Sequence, residues 1–154
     1  MKKLLKSTTI CLLLLSACDG LSEYRGLNEL AKMTWSKGDV QTFDATISET
    51  GEYDVYILFR HVHGFPYKDI NVNLNMTGPS TLYDQSYTIP IIGDDKEYLG
   101  EGSVDIWDVE LLAMENETLA EGAYTINLQH EMVTEDLQLV MEVGVRIQKP
   151  KSEE

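Results

Sequence analysis

The stretch from Tyr53 to Met76 constrains the fold more than any other part of the chain. Its first run, YDVYILFRHV, is apolar on both faces that a strand presents, which is typical of a strand covered on both sides. Its last run, INVNLNM, alternates apolar residues with asparagine, which predicts a strand with one buried and one wet face. Because Gly64 and Pro66 mark a turn between the two runs, we expect a β-hairpin in the middle of an all-β domain.

The remaining body of the chain repeats short alternating segments separated by turn residues. The longest regular alternation runs from Leu137 through Leu139, Met141, Val143 and Val145, and we expect these side chains to share one buried face. About seven or eight short strands with turns between them are typical of a two-sheet antiparallel β-sandwich. The pattern leaves open whether the topology is jelly-roll or immunoglobulin-like.

The N-terminus has the character of a secretory signal. Lys2, Lys3 and Lys6 precede a short apolar run, which is too short to span a bilayer as a helix. The run ends in Leu15-Ser16-Ala17-Cys18, which resembles the bacterial lipobox. That resemblance implies cleavage before Cys18, a thioether from its thiol to diacylglycerol, and acylation of its amine with a fatty acid such as palmitate.

These features divide the chain into four parts. We expect a lipoprotein signal peptide over residues 1–17, a lipidated cysteine and loose tether over 18–33, the β-sandwich over 34–149 and a charged tail over 150–154. Cys11 lies in the signal segment and Cys18 would carry lipid, so the sandwich has no cysteine for a disulfide.

The charge of the chain excludes several kinds of partner. Its net charge of −14 repels phosphate backbones, and no glycine-rich phosphate-binding loop occurs, so we expect neither nucleic acid nor nucleotide binding. The same charge predicts that the domain stands away from a membrane surface and is held there only by its lipid.

The body of the chain resembles the gliding-motility lipoprotein family GldH of Bacteroidetes. The order and spacing of several short motifs carry the resemblance over nearly the whole mature chain. These motifs are Trp35 with Phe43, a strand ending in Arg60, Phe65-Pro66-Tyr67-Lys68-Asp69-Ile70, Gly100-Glu101-Gly102, Glu121-Gly122 before Tyr124, and Val143-Gly144-Val145-Arg146-Ile147. The family usually has Ser-Asn where Lys68-Asp69 stand here.

The resemblance implies a non-enzymatic envelope lipoprotein connected with gliding motility and type IX secretion, acting through contacts with envelope proteins. The membrane and its face are a separate question. We favour the periplasmic face of the outer membrane, with the inner membrane and the cell surface as alternatives, because the residues after Cys18 form only a weak version of an acidic surface-export run.

No catalytic or cofactor motif emerges from the residues. Three histidines occur without a nucleophile-elbow motif, and His61 with His63 lack an evident third metal ligand. Asp94, Asp95 and Glu97 are weak calcium candidates, since an acidic chain has many solvated loops. We therefore expect no enzyme activity, no cofactor and no transition-metal site.

Two alternative functions stay open. A carbohydrate-binding β-sandwich could use an aromatic platform drawn from Tyr67, Tyr83, Tyr87 or Trp107. A glycan hydrolase accessory or cryptic hydrolase would need two carboxylates across a cleft.

The segment from Arg60 to Ile70 is the best candidate for a contact site. Arg60, Phe65, Pro66 and Tyr67 combine a cation with an aromatic-proline loop, and such residues anchor protein interfaces. We expect these four side chains to bind a partner, although packing of the loop on its own sandwich would explain the same residues.

Overall fold

The computed structural model describes residues 22–79 and 82–151, and most of that part of the chain is β-strand. The all-β prediction is confirmed. One short 3-10 turn lies at Ala31–Met33. The strands are β1 Ser22–Glu29, β2 Thr34–Ser36, β3 Gln41–Ile47, β4 Gly51–Val62, β5 Asp69–Thr77, β6 Leu82–Pro90, β7 Glu101–Ser103, β8 Ile106–Leu119, β9 Gly122–His130, β10 Asp136–Gln138 and β11 Val140–Gln148.

Two antiparallel sheets form a sandwich, as the alternation predicts. The first has the order β1-β11-β4-β8-β7, and the second has the order β3-β9-β5-β6. A third sheet of two short strands, β10 and β2, adds to them. The inward faces bury a shared core that includes Trp35, Tyr53, Phe59 and Tyr124, each 2% exposed or less.

Strand β4 is buried along its inner face but only partly along its outer face, so the predicted cover on both faces is wrong in part. Tyr53, Val55, Ile57 and Phe59 belong to the core, while Leu58 on the opposite face is also only 3% exposed. Its place between β11 and β8 gives it a neighbour on each edge. On the outer face, Tyr56 and Arg60 remain partly exposed.

The hairpin expected between the two runs of Tyr53–Met76 is wrong. β4 belongs to the five-stranded sheet and β5 to the four-stranded sheet, so residues 63–68 carry the chain across the sandwich. Packed sheets lie about 10 Å apart, which a loop of this length spans easily. The alternation of β5 is confirmed, since Ile70, Val72 and Leu74 are all buried.

The tether predicted for residues 18–33 is wrong over Ser22–Glu29, which forms edge strand β1 against β11. The two strands lie close together where Leu27 pairs with Gly144. A Cβ on Gly144 would lie 2.2 Å from the carbonyl oxygen of Gly26, so this approach requires glycine. The expected signal segment 1–17 and residues 18–21 lie outside the described residues.

The alternation from Leu137 to Val145 is interrupted, so the predicted buried face is wrong in part. Leu139 has a φ of 69°, and the register with β4 shifts between Val140 and Glu142. Met141 is the extra residue of this β-bulge, which moves the following residues by one position. Val140, Val143 and Val145 are therefore buried, while Leu139 and Met141 are partly exposed.

Within the described residues, no helix has the length and apolar character needed to cross a membrane.

The bulge leads to a stability prediction. Ile147→Ala should lower the free energy of unfolding by about 2–5 kcal/mol, because Ile147 is fully buried after the bulge. Met141→Ala is the matched control and should cost less than about 1 kcal/mol, since this side chain is partly exposed. Urea unfolding measures both, and an equal loss for the two variants would contradict the register described above.

Candidate protein-contact surface

The outer face of the five-stranded sheet gathers all three arginines of the chain. Arg25 lies on β1, Arg146 on β11 and Arg60 on β4, and the register pairs Arg25 with Arg146. Because side chains alternate along a strand, residues directly across a ladder point to the same face. We define the arginine face as Arg25, Tyr56, Arg60, Asp108, Glu110, Leu112, Glu142 and Arg146.

Arg60 is held by two carboxylates from the neighbouring strands. Its Nε and Nη2 donate to Oδ1 and Oδ2 of Asp108 at 2.6 and 3.0 Å, and its Nη1 donates to Oε2 of Glu142 at 2.7 Å. The hydrogen bonds to Asp108 raise the pKa of Arg60 above its ordinary value. Both carboxylates are partly exposed, so each pair is worth at most about 1 kcal/mol of stability.

Arg146 makes a second cluster one row further along the sheet. Its guanidinium lies 4.0 Å from the ring centroid of Tyr56, its Nη2 donates to Glu110 at 2.5 Å, and its Nη1 donates to Gln148. Arg25 approaches the other oxygen of Glu110 at 3.6 Å. Three guanidinium groups therefore meet three carboxylates in a network that is locally balanced on a strongly acidic chain.

Exposed apolar side chains accompany these charges. Leu27, Ile106 and Leu112, each 39% exposed, lie on strands of the same sheet. Tyr56 pairs directly with Leu112, which places Leu112 on the arginine face. Arginine, tyrosine and aliphatic side chains side by side have the composition of a protein interface.

The four contact residues predicted from the sequence do not form one patch. Arg60 lies on the outer face, whereas Phe65 is 1% exposed and packs in the core against Phe59, with ring centroids 5.5 Å apart. The expectation that Phe65 is a surface anchor is therefore wrong. Pro66 is exposed and Tyr67 partly so, with the Tyr67 ring packed on Phe65.

Tyr98 fixes the loop that follows β4. Its hydroxyl accepts a hydrogen bond from the amide of Gly64 at 2.9 Å and donates one to the carbonyl of Phe65 at 3.1 Å. Its ring also packs on that of His61, with centroids 4.8 Å apart. These contacts hold the loop against the sandwich with Phe65 buried, and no motif around Tyr98 signals them in the sequence.

His61 is fully buried in this aromatic cluster. Burial lowers its pKa below the ordinary histidine value, so the ring is neutral at pH 7. Its Nδ1 lies 3.1 Å from the carbonyl oxygen of Val62, which can only accept, so Nδ1 carries the proton. Nε2 is then an acceptor, and it finds no partner within the described residues.

The metal candidates do not come together. In the parts of the chain that the structure covers, no three His, Cys, Asp or Glu residues are grouped as metal ligands. Asp94 bonds Lys68 at 3.0 Å, and Asp95 accepts from the backbone amide of Glu97 at 3.1 Å. The acidic loop is thus held by its own turn and by one surface ion pair.

The rings proposed for a sugar platform are divided between two places. Tyr83 and Tyr87 lie on β6, with hydroxyl oxygens 2.5 Å apart, whereas Trp107 packs on Tyr98 from β8. A shallow open cleft of about 300 Å³ is lined by Gly100, Glu101, Asp108 and Glu110, without an aromatic ring.

Sequence reasoning found Arg60 but missed its partners on the arginine face. Asp108 and Glu142 are 48 and 82 residues away from Arg60 along the chain. One signal in the sequence could have indicated the arginine face: arginine is scarce in this acidic chain, and Arg60 and Arg146 each lie inside a predicted strand. Cys18, the predicted lipidation site, lies outside the described residues.

The burial of Phe65 leads to a second prediction. Phe65→Ala should cost about 3–5 kcal/mol of folding stability, because it empties a position in the aromatic core. Pro66→Ala changes an exposed neighbour and should cost about 1 kcal/mol or less. Thermal melts followed by circular dichroism compare the two, and a Phe65 variant that melts like its control would place the ring at the surface after all.

Comparison with known proteins identifies a family, whereas the likeness to solved structures is weak. The sequence model of the family described as GldH lipoprotein matches residues 22–147. No curated protein matches the chain. A solved structure titled "Structure of Eiger TNF from S. frugiperda" matches with 13% identity and a TM-score of 0.40, over 72% of this chain and 66% of that chain, which supports no conclusion. Because the family match begins with β1 and extends almost to the end of β11, this chain belongs to the GldH lipoprotein family.

Proposed function

We propose that this protein is a non-enzymatic, lipid-anchored envelope lipoprotein that supports gliding motility and type IX secretion through contacts with other envelope proteins. Its membership of the GldH lipoprotein family supports the anchor and the envelope location. The lipobox-like Leu15-Ser16-Ala17-Cys18 supplies the residue that would carry the lipid. We place the domain on the periplasmic face of the outer membrane.

The position of β1 sets the distance between the domain and the lipid. Strand β1 begins at Ser22, so four peptide units connect it to Cys18, and they reach at most about 14 Å. A lipidated Cys18 would therefore keep the start of β1 within about 14 Å of the lipid, while the acidic charge of the domain keeps it from lying on an anionic surface. Partners that meet the protein would already be close to the same membrane.

The observation that carries the contact function is the arginine face. Arg60 uses three of its N–H donors within the protein, and a guanidinium has five, so it can still bind a carboxylate or carbonyl of a partner. Leu112 and Leu27 supply apolar area beside it. A partner that presents a carboxylate or carbonyl oxygen beside an apolar group would fit this surface best.

The anchor has a direct test. Cys18→Ala removes the thiol that would bind diacylglycerol, so the protein should leave the membrane fraction in a high-salt wash, or persist as an uncleaved precursor. Fractionation and the intact mass of the protein measure the outcome. A variant of mature mass that stays with the membranes would show that something other than lipid holds it.

The contact function is tested by capture of partners from solubilised membranes of the source organism. Arg25→Ala combined with Leu112→Ser truncates two exposed members of this surface and leaves the bonds of Arg60 intact. We expect recovery of a specific partner to fall roughly tenfold or more, as interface anchors are worth at least about 1.4 kcal/mol.

The matched control changes a cation and an exposed aliphatic side chain elsewhere. Lys37→Ala with Val40→Ser lies in the loop between β2 and β3, where Val40 is 45% exposed. This pair should capture the partner like the unchanged protein. Equal capture by all three proteins would remove the arginine face from the proposal, and an absence of any specific partner would remove the contact function itself.

A further inference from the structure

Strand β6 forms a free edge of the four-stranded sheet. It pairs with β5 over its whole length, and no strand in residues 22–79 and 82–151 pairs with its other side. Six of its nine residues are exposed and two more are partly exposed, and Leu82 is 81% exposed. An edge of this kind presents unpaired N–H and C=O groups to the solvent.

Two observations identify which backbone groups of β6 point outward. Pro90 pairs with Asp69 but has no N–H to donate. The backbone groups of residue 90 can therefore point away from β5 without the loss of a hydrogen bond between the strands. The carbonyl of Asn71 accepts from the amide of Glu131, so the Asn71 backbone faces β9 rather than its β6 partner Thr88. Since antiparallel pairs alternate, Asp84, Ser86 and Thr88 all direct their N–H and C=O outward.

The opposite side of the sandwich is closed. There the edge strands β1 and β3 are connected by two hydrogen bonds. The side-chain amide of Asn28 donates to the side-chain oxygen of Gln41 at 3.1 Å, and the backbone N–H of Ser48, directly after β3, donates to the carboxylate of Glu23 at 2.7 Å. On the β6 side, β7 covers only the first residues of β8, from Ile106 to Asp108. On this side β6 and β8 belong to different sheets, and the hydroxyl of Tyr87 on β6 connects them by donating to the carbonyl of Ala113 on β8 at 2.8 Å.

β6 lacks the usual protection of an exposed edge. Its register with β5 runs without a bulge from Pro90 to Leu82, it carries no lysine, and its only proline is the last residue. A regular, uninterrupted edge is what strand addition requires. The neighbouring charges are acidic: Asp84 on β6, and Glu115 and Glu117 on β8 are all exposed.

From this geometry we propose that the outer edge of β6 binds an extended, uncharged or basic segment of a partner protein as an added strand. The inference rests on the proposed contact function and gives it a second surface, separate from the arginine face. The main chain of Asp84, Ser86 and Thr88 supplies the hydrogen bonds, and the acidic flank selects against acidic segments. A second copy of this chain is a poor occupant, because each copy carries a net charge of −14.

The test uses the full lipidated chain in membranes of the source organism, with a photoreactive benzoylphenylalanine in place of the exposed Leu82. Ser86→Pro removes one outward N–H and keeps the bonds to β5, so it should fold normally and block strand addition. Thr88→Pro is a second variant built on the same reasoning. Ser86→Ala is the matched control, since it removes the hydroxyl and keeps the N–H.

We expect the unchanged protein and Ser86→Ala to cross-link to a short segment of one partner, identified by mass spectrometry of the linked peptides. Each proline variant should melt within a few degrees of the unchanged protein and give roughly tenfold less cross-link, as expected for loss of a main-chain hydrogen bond together with a steric block.

Four results would overturn the inference. The first is equal cross-linking by the proline variants, and the second is a product that joins two copies of this chain. The third is unfolding of both proline variants, which would show that these amides belong to the ladder with β5. The fourth is an absence of cross-links while capture through the arginine face persists, which leaves the proposed function standing. If neither experiment finds a partner, the contact function itself fails.

Discussion

The pairing of β4 with β11 on one edge and β8 on the other holds the five-stranded sheet together. β1 reaches β4 only through β11, and β7 reaches it only through β8. The same strand supplies Phe59 to the core and Arg60 to the outer face, so the buried and exposed surfaces share one backbone. An apolar strand is least exposed at the centre of a sheet, and β4 lies there with a neighbour on each edge.

The outer face of the five-stranded sheet carries all three arginines of an acidic chain. A chain with 26 acidic and 12 basic residues repels most anionic surfaces, and its arginines could have been scattered among them. Instead, strand pairing brings all three to one face, where carboxylates from β8 and β11 orient them. Partly exposed ion pairs contribute little to stability, and the convergence of these side chains on one face is the observation behind the proposed contact surface.

The sequence located one member of that surface and grouped it with the wrong neighbours. Arg60 and Phe65 are close along the chain, but alternation sends Arg60 outward while the loop turns Phe65 back onto Phe59. Aromatic residues beside a proline in a loop are as typical of a protein interface as of a buried core. In the folded chain Phe65 is core, because it packs on Phe59 and because Tyr98 binds Gly64 and Phe65 from a distant loop.

The sequence by itself determined the all-β class, the burial of the inner face of β4, the one-sided burial of β5 and the resemblance to the family. Tertiary structure decided that β4 and β5 belong to different sheets, that Ser22–Glu29 is a strand, that Met141 interrupts the longest alternation, and that β6 is left with a free edge. Alternation of apolar residues is a local property that reports which face of a strand is buried. The neighbour of a strand and its register depend on main-chain hydrogen bonds between distant segments, and nearly every residue can make those bonds.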